Sequence, residues 1–153
     1  MNRRIRATKE VVFDCAHMLA GHRGLCKNVH GHTYKVQVDV STAELIPEGS
    51  SEGMVMDFKD LKNIINTQIV DQFDHAFVTW ADTPYEEERA IAAVIAEQGC
   101  KVVYTCYRPS AENMAYYFYQ GLQEEIDSFT KGAIKVDAVR VWETPTSFAT
   151  YEG

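Results

Sequence analysis

No run of apolar residues in the 153-residue chain approaches the ~20 that cross a bilayer. The opening stretch MNRRIRATKEVVF has basic residues but no apolar core behind them. It does not read as a secretory signal, and the cytosol is the expected compartment. Positive charge is scarce: 15 Lys and Arg against 22 Asp and Glu leave a formal charge of -7. A nucleic-acid binder needs a basic face against phosphate, so that class is set aside. Four cysteines are too few for a disulfide framework in a chain of this length. In a reducing compartment such thiols serve as buried fillers, metal ligands or catalysts. Internal repeats and low-complexity tracts are absent as well.

What is present is enough apolar residue, 46%, for one compact domain over residues 1–153. Alternation of Ile5, Ala7, Val11 and Phe13 with polar neighbours predicts a strand over 3–13. Residues 14–30, with Gly21 and Gly24, read as a loop. TYKVQVDVS at 33–41 alternates strictly and predicts a second strand. Asp57 suits a helix N-cap, followed by Phe58, Leu61, Ile64, Ile65 and Ile69 at helical spacing up to Phe73. A short helix over 85–98 and a short strand over 101–107 follow. Ser110 then caps a helix with Met114, Tyr117, Phe118, Leu122 and Ile126 on one face. AIKVDAVRVWET and SFATYE read as two final strands around Pro145. This order predicts an α+β domain, an antiparallel sheet with helices on one face. Its open edges favour pairing with another subunit.

The stretch CKNVHGH at 26–32 carries the first chemical signal. His30 and His32, two apart at a strand start, share one face and can grip one metal ion. Gly31 between them allows close backbone approach. If the first two strands form a hairpin, His17 returns beside His30. Three histidines and an open position make a catalytic zinc pattern. His22 competes for the third place, but its loop position leaves it less fixed, and His17 is preferred. Cys26 has two readings. It closes a Cys-His₃ structural zinc site in a non-catalytic binding domain, or it stays free as a reactive thiolate beside the metal and Lys27. Spacing does not choose between them. Cys15, within an apolar strand end, reads as a packed thiol.

A second constellation is QFDHAF at 72–77. Asp74 and His75 are either acid-base partners or a helix end with a favourable histidine. Adjacent residues seldom bond side chain to side chain, so each is expected to serve a different partner. Glu143, with Thr144 beside it, ends an apolar strand. It is either exposed there or a carboxylate anchor for a paired N–H edge.

Together these segments resemble the 6-pyruvoyl-tetrahydropterin synthase / 6-carboxy-tetrahydropterin synthase family. The matching pieces, in order, are FDCAH, CKNVHGHTYKV, GMVMDFKDLK, FDHAF, RPSAENMA and VWET, covering nearly the whole chain. The resemblance implies the tunnelling fold, a ββααββ unit assembling into a barrel, commonly a trimer stacked into a hexamer. It implies zinc on His17, His30 and His32, with Cys26 free as general base. Asp74 and His75 would be relay partners that usually reach the site from a neighbouring subunit. Glu143 would anchor a pterin ring and join the relay, with Thr144 and Ser110 as substrate contacts. Ser110 stands where the family often has threonine.

The implied substrate is 7,8-dihydroneopterin triphosphate. The implied product is 6-carboxy-5,6,7,8-tetrahydropterin, with triphosphate and acetaldehyde released, on the route to queuosine. The three-residue gap between Cys26 and His30 resembles this bacterial carboxy branch. The pyruvoyl branch, an internal redox rearrangement that keeps all the carbons, is the alternative. The KNV segment carries no glutamate, unlike a folate-pathway subgroup. Residues 81–106 form a longer stretch than a minimal member needs.

Overall fold

The computed structural model describes residues 4–153. The strand expected from residue 3 is seen from Ile5; residue 3 lies outside the described residues. Strand β1 (Ile5–His17) keeps its alternation beyond Phe13, because Cys15 and His17 also turn inward and are buried. Strand β2 (His30–Thr42) pairs with it antiparallel, Ile5 opposite Thr42 and His17 opposite His30. The loop expected over 14–30 therefore shrinks to the residues between these strands.

Helix α1 (Phe58–Ile65) starts where Asp57 accepts a hydrogen bond from the Lys59 amide at 2.7 Å. It runs through a π turn over Asn66–Val70 into α2 (Asp71–Phe73), so the helical path ends at the expected residue. Strand β3 (Phe77–Trp80) follows, then α3 (Glu86–Glu97) and β4 (Val102–Thr105). β3 is absent from the sequence expectation. FVTW is too short, and too apolar at its start, to display a period of two. Helix α4 (Ala111–Thr130) begins on Ser110, whose hydroxyl accepts from the Asn113 amide at 3.3 Å. Strands β5 (Lys135–Thr144) and β6 (Ser147–Glu152) close the chain.

The sheet order is β4-β3-β1-β2-β5-β6. β1, β2, β5 and β6 form the expected antiparallel part. The β1–β3 and β3–β4 pairs are parallel, so the whole sheet is mixed. The β3–α3–β4 unit supplies the crossover that parallel strands require. No helix among the described residues is long and apolar enough to cross a membrane.

Helices α1 and α4 share one core with Phe13, Cys15, Tyr34 and Val36, so both lie on one sheet face as expected. Helix α3 is different. Ala16 and Phe77, whose chain neighbours Cys15 and Val78 face the main core, pack with Ala92 in a second cluster. Successive strand residues point to opposite faces, so α3 covers the other side of the sheet. On α4, Met114, Phe118, Leu122 and Ile126 are buried, but Tyr117 remains 38% exposed. It stands at the margin of the apolar stripe, stacked on Tyr107 at 4.2 Å.

Asp39, 3% exposed, accepts hydrogen bonds from Thr8 at 2.6 Å and Arg140 at 2.8 Å. Burial raises its pKa, but these bonds and the charges of Arg140 and Arg6 outweigh it and hold the carboxyl below the ordinary aspartate range. Asp39→Ala is expected to cost about 3 kcal/mol in urea unfolding at neutral pH, because it strands Arg140 without its partner. A depressed folded-state pKa stabilises fully above the unfolded value and ceases to do so as pH falls through the folded one. The difference between variant and wild type should therefore shrink below about pH 4.

Candidate active site

The hairpin register builds the site. His17, the last residue of β1, lies directly opposite His30, the first of β2, and His32 lies opposite Cys15. All three histidines fall on the face covered by α1 and α4, and their ligand atoms lie within 4.8 Å of one another. Ring centroids are 4.6 Å apart for His17–His30 and 4.8 Å for His30–His32. A Cβ on Gly31 would meet the Cys15 carbonyl at 3.4 Å, an ordinary contact.

The ring nitrogens can be assigned from their partners. His17 Nδ1 faces the Pro109 carbonyl at 2.8 Å, and His30 Nδ1 faces the Asn28 carbonyl at 2.7 Å. A carbonyl accepts, so each Nδ1 carries a proton and each ring turns its Nε2 toward the cluster. Those two Nε2 atoms are 3.1 Å apart. His32 Nε2 is buried and has no hydrogen-bond partner. Burial, reinforced by its two histidine neighbours against the pull of Glu143, lowers the His32 pKa and keeps that ring neutral.

Glu143 points into the same place, its Oε1 3.3 Å from His17 Nε2 and 3.5 Å from His32 Nε2. The hydrogen-bonding contact with His17, outweighing burial, holds its carboxyl below the ordinary glutamate range. Three ring nitrogens and an ionised carboxylate converging here call for positive charge between them. A single proton serves one nitrogen; a metal ion serves all three and satisfies the orphaned Nε2 of His32. The donor set thus fits a metal ion.

Cys26 is exposed on a 3₁₀ turn over Leu25–Lys27 and lies outside the histidine cluster. Its carbonyl accepts from the Leu19 amide at 2.8 Å. His22 is also outside; its Nδ1 accepts from the Gly24 amide at 2.8 Å, a local turn contact. Cys15 is buried, and its thiol is pushed up to about 12 by burial first and then by Asp74, Asp14 and Glu143. It is a packed neutral thiol.

Asp74 and His75 depart from expectation. Adjacent side chains are expected to serve separate partners, but Asp74 Oδ2 lies 2.9 Å from His75 Nδ1. The cause is backbone: His75 has φ 59, the left-handed region, which swings its ring back over the preceding residue. Asp74 Oδ1 also accepts from the Asp14 amide at 3.0 Å. That bond first, and His75 second, lower the Asp74 pKa. His75 stays 79% exposed, with Nε2 presented outward. Lys101 Nζ donates to the Asp71 and Asp74 carbonyls, at 2.9 and 2.8 Å, and closes this helix end.

A cavity of about 520 Å³ adjoins the cluster, lined by His32, Thr33, Trp142, Glu143, Thr144 and Pro145. A second, of about 540 Å³, opens between His32, Thr33, His75 and Lys101. Thr144 thus lines the Glu143 cavity, whereas Ser110 is occupied as a helix cap. Tyr34, which alternation marks only as strand core, stands against the histidine cluster. Its hydroxyl is fully buried 3.4 Å from His17 Nδ1, and burial above all raises its pKa. Its place two residues after His32 on the same face was the available signal. The Pro109 and Asn28 carbonyls, being backbone, left none.

A model of the 6-pyruvoyl tetrahydropterin synthase family matches residues 6–153. The chain is 39% identical over 147 residues to a 6-carboxy-5,6,7,8-tetrahydropterin synthase of Haemophilus influenzae, covering 96% of this chain and 98% of that one. It is 34% identical over 129 residues to the protein of the same name from Aquifex aeolicus, covering 83% and 75%. Among solved structures, a Wolinella succinogenes protein superposes with a TM-score of 0.76 at 23% identity, over 99% of both chains. The 6-pyruvoyl tetrahydropterin synthase of Plasmodium falciparum does so with a TM-score of 0.72 at 20% identity, again over 99% of both, a likeness of fold. With a family match over nearly its full length, the chain belongs to the 6-pyruvoyl tetrahydropterin synthase family.

Proposed function

We propose that this chain is a zinc-dependent 6-carboxy-5,6,7,8-tetrahydropterin synthase. It would convert 7,8-dihydroneopterin triphosphate with release of triphosphate and acetaldehyde, in the cytosol, on the route to queuosine. The observation that carries the reading is the convergence of three histidine nitrogens that leaves Cys26 outside. The carboxy names of the relatives support the choice of branch.

Zinc, when bound, acts as a Lewis acid that acidifies the hydroxyls of the substrate side chain. The remaining work falls to the protein. Glu143, ionised, accepts two parallel N–H bonds from the pterin edge and orients the ring in the adjoining cavity. The Cys26 thiolate removes a proton from the side chain. Asp74 fixes the His75 tautomer, so that Nε2 takes up and returns protons. Cys26 and the Asp74–His75 pair stand on different loops, which suits a site completed by a neighbouring subunit. The free sheet edges, β4 and β6, are the surfaces for a trimer or hexamer.

Acetaldehyde measured against triphosphate with the zinc-loaded protein tests the branch. Equal amounts are expected. Triphosphate released without acetaldehyde would replace this reading with the pyruvoyl activity.

A further inference from the structure

Residues 81–106 take no chemical role above except through Lys101, yet they are firmly anchored. The Glu88 carboxylate, 2% exposed, accepts from Thr79 Oγ1 at 3.0 Å, the Trp80 amide at 3.1 Å and Thr83 Oγ1 at 2.7 Å. A buried carboxylate satisfied three times over holds α3 rigidly to the end of β3. From that base α3 packs on Met18 and Ala20, the residues that lead out of β1 toward Cys26.

Tyr85, at the start of α3, reaches furthest. A Cβ built on Gly21 would run into the Tyr85 ring, which fills the space that any other side chain would need. Gly21 also has φ +82, a conformation glycine adopts without strain. The turn around it is tied on both sides. Arg108 Nη2 donates to the Ala20 carbonyl at 2.9 Å, and the His22 amide to the Leu19 carbonyl at 3.0 Å. The Leu19 amide in turn donates to the Cys26 carbonyl at 2.8 Å. Further along, a hollow of about 380 Å³ separates Glu87 and Ile91 of α3 from Lys27 and Asn28. Beyond the packing on Met18 and Ala20, Tyr85 on Gly21 is therefore the contact through which α3 bears on this turn.

We infer that Tyr85 is a positioning residue: its ring seats the turn around Gly21 and so sets where the Cys26 thiol stands. This rests on the reading of Cys26 as the proton-moving residue. The test compares Tyr85→Ala and Tyr85→Phe with wild type, all zinc-loaded. Iodoacetamide labelling at Cys26 is resolved from Cys15, Cys100 and Cys106 by peptide mass spectrometry. For Tyr85→Ala the labelling rate should change several-fold and kcat should fall about 10- to 100-fold, as an ångström of misplacement does. KM and zinc content should hold, and Tyr85→Phe should restore both altered readouts. A folded Tyr85→Ala with wild-type labelling and kcat would overturn the inference. If alanine does not fold, Tyr85→Leu, which keeps apolar volume without the ring, is judged by the same two readouts. Failure of the underlying reading looks different: Cys26→Ala would then turn over normally, while labelling of Cys26 would still report the loop.

Discussion

Replacing His32 by alanine is expected to empty the metal site and lower turnover by about 10³-fold or more. The magnitude follows from Lewis-acid stabilisation worth several kcal/mol, with each ~1.4 kcal/mol a factor of ten. His32 is a cleaner probe than His17. His17 is 1% exposed and bonds to the Pro109 carbonyl, so its removal also unsettles the packing ahead of α4. His32 is more exposed, and its Nε2 has no hydrogen-bond partner to lose. Zinc by atomic absorption should fall from stoichiometric to trace. A metal that binds only the folded state raises apparent stability by mass action. A chelator should therefore lower the wild-type Tm and leave His32→Ala unchanged. A variant that retained its zinc would remove His32 from the ligand set.

Replacing Cys26 by alanine should lower kcat by about 10²- to 10⁴-fold, the range of general acid–base catalysis, while zinc content and Tm hold. The separation of effects follows from position. Cys26 is exposed on its 3₁₀ turn, outside the cluster of three histidines. A surface substitution of this kind shifts stability by no more than about 0.5 kcal/mol. Zinc loss on Cys26→Ala would instead restore the structural reading, with the thiolate as fourth ligand. Full turnover with zinc retained would move the base elsewhere, His75 being the next candidate.

The hairpin that assembles the histidines was legible in outline. Alternation marked strands over 3–13 and 33–41, and pairing them returns His17 beside His30. The strands in fact run on through the expected loop and carry both histidines at their facing ends. Both principal helices announced themselves through Asp57 and Ser110, whose side chains do accept the expected amide hydrogens. Legibility failed where a feature depends on partners remote in sequence. Four residues of β3 carry too little pattern to be read without β1 and β4 beside them. The face chosen by α3 is set by which of Phe77 and Val78 meets which core. The Asp74–His75 bond hangs on one left-handed φ, which no adjacent-residue rule supplies. The tautomers of His17 and His30 are set by backbone carbonyls, which every residue carries alike.

The division of labour within CKNVHGH is open to one direct measurement: X-ray absorption at the zinc edge of the loaded wild-type protein. Zinc–sulfur and zinc–nitrogen shells separate cleanly, at about 2.3 Å against about 2.0–2.1 Å. Three imidazoles and no sulfur are expected, with the remaining position held by oxygen. A sulfur shell at about 2.3 Å would put Cys26 on the metal and contradict its role as a free base.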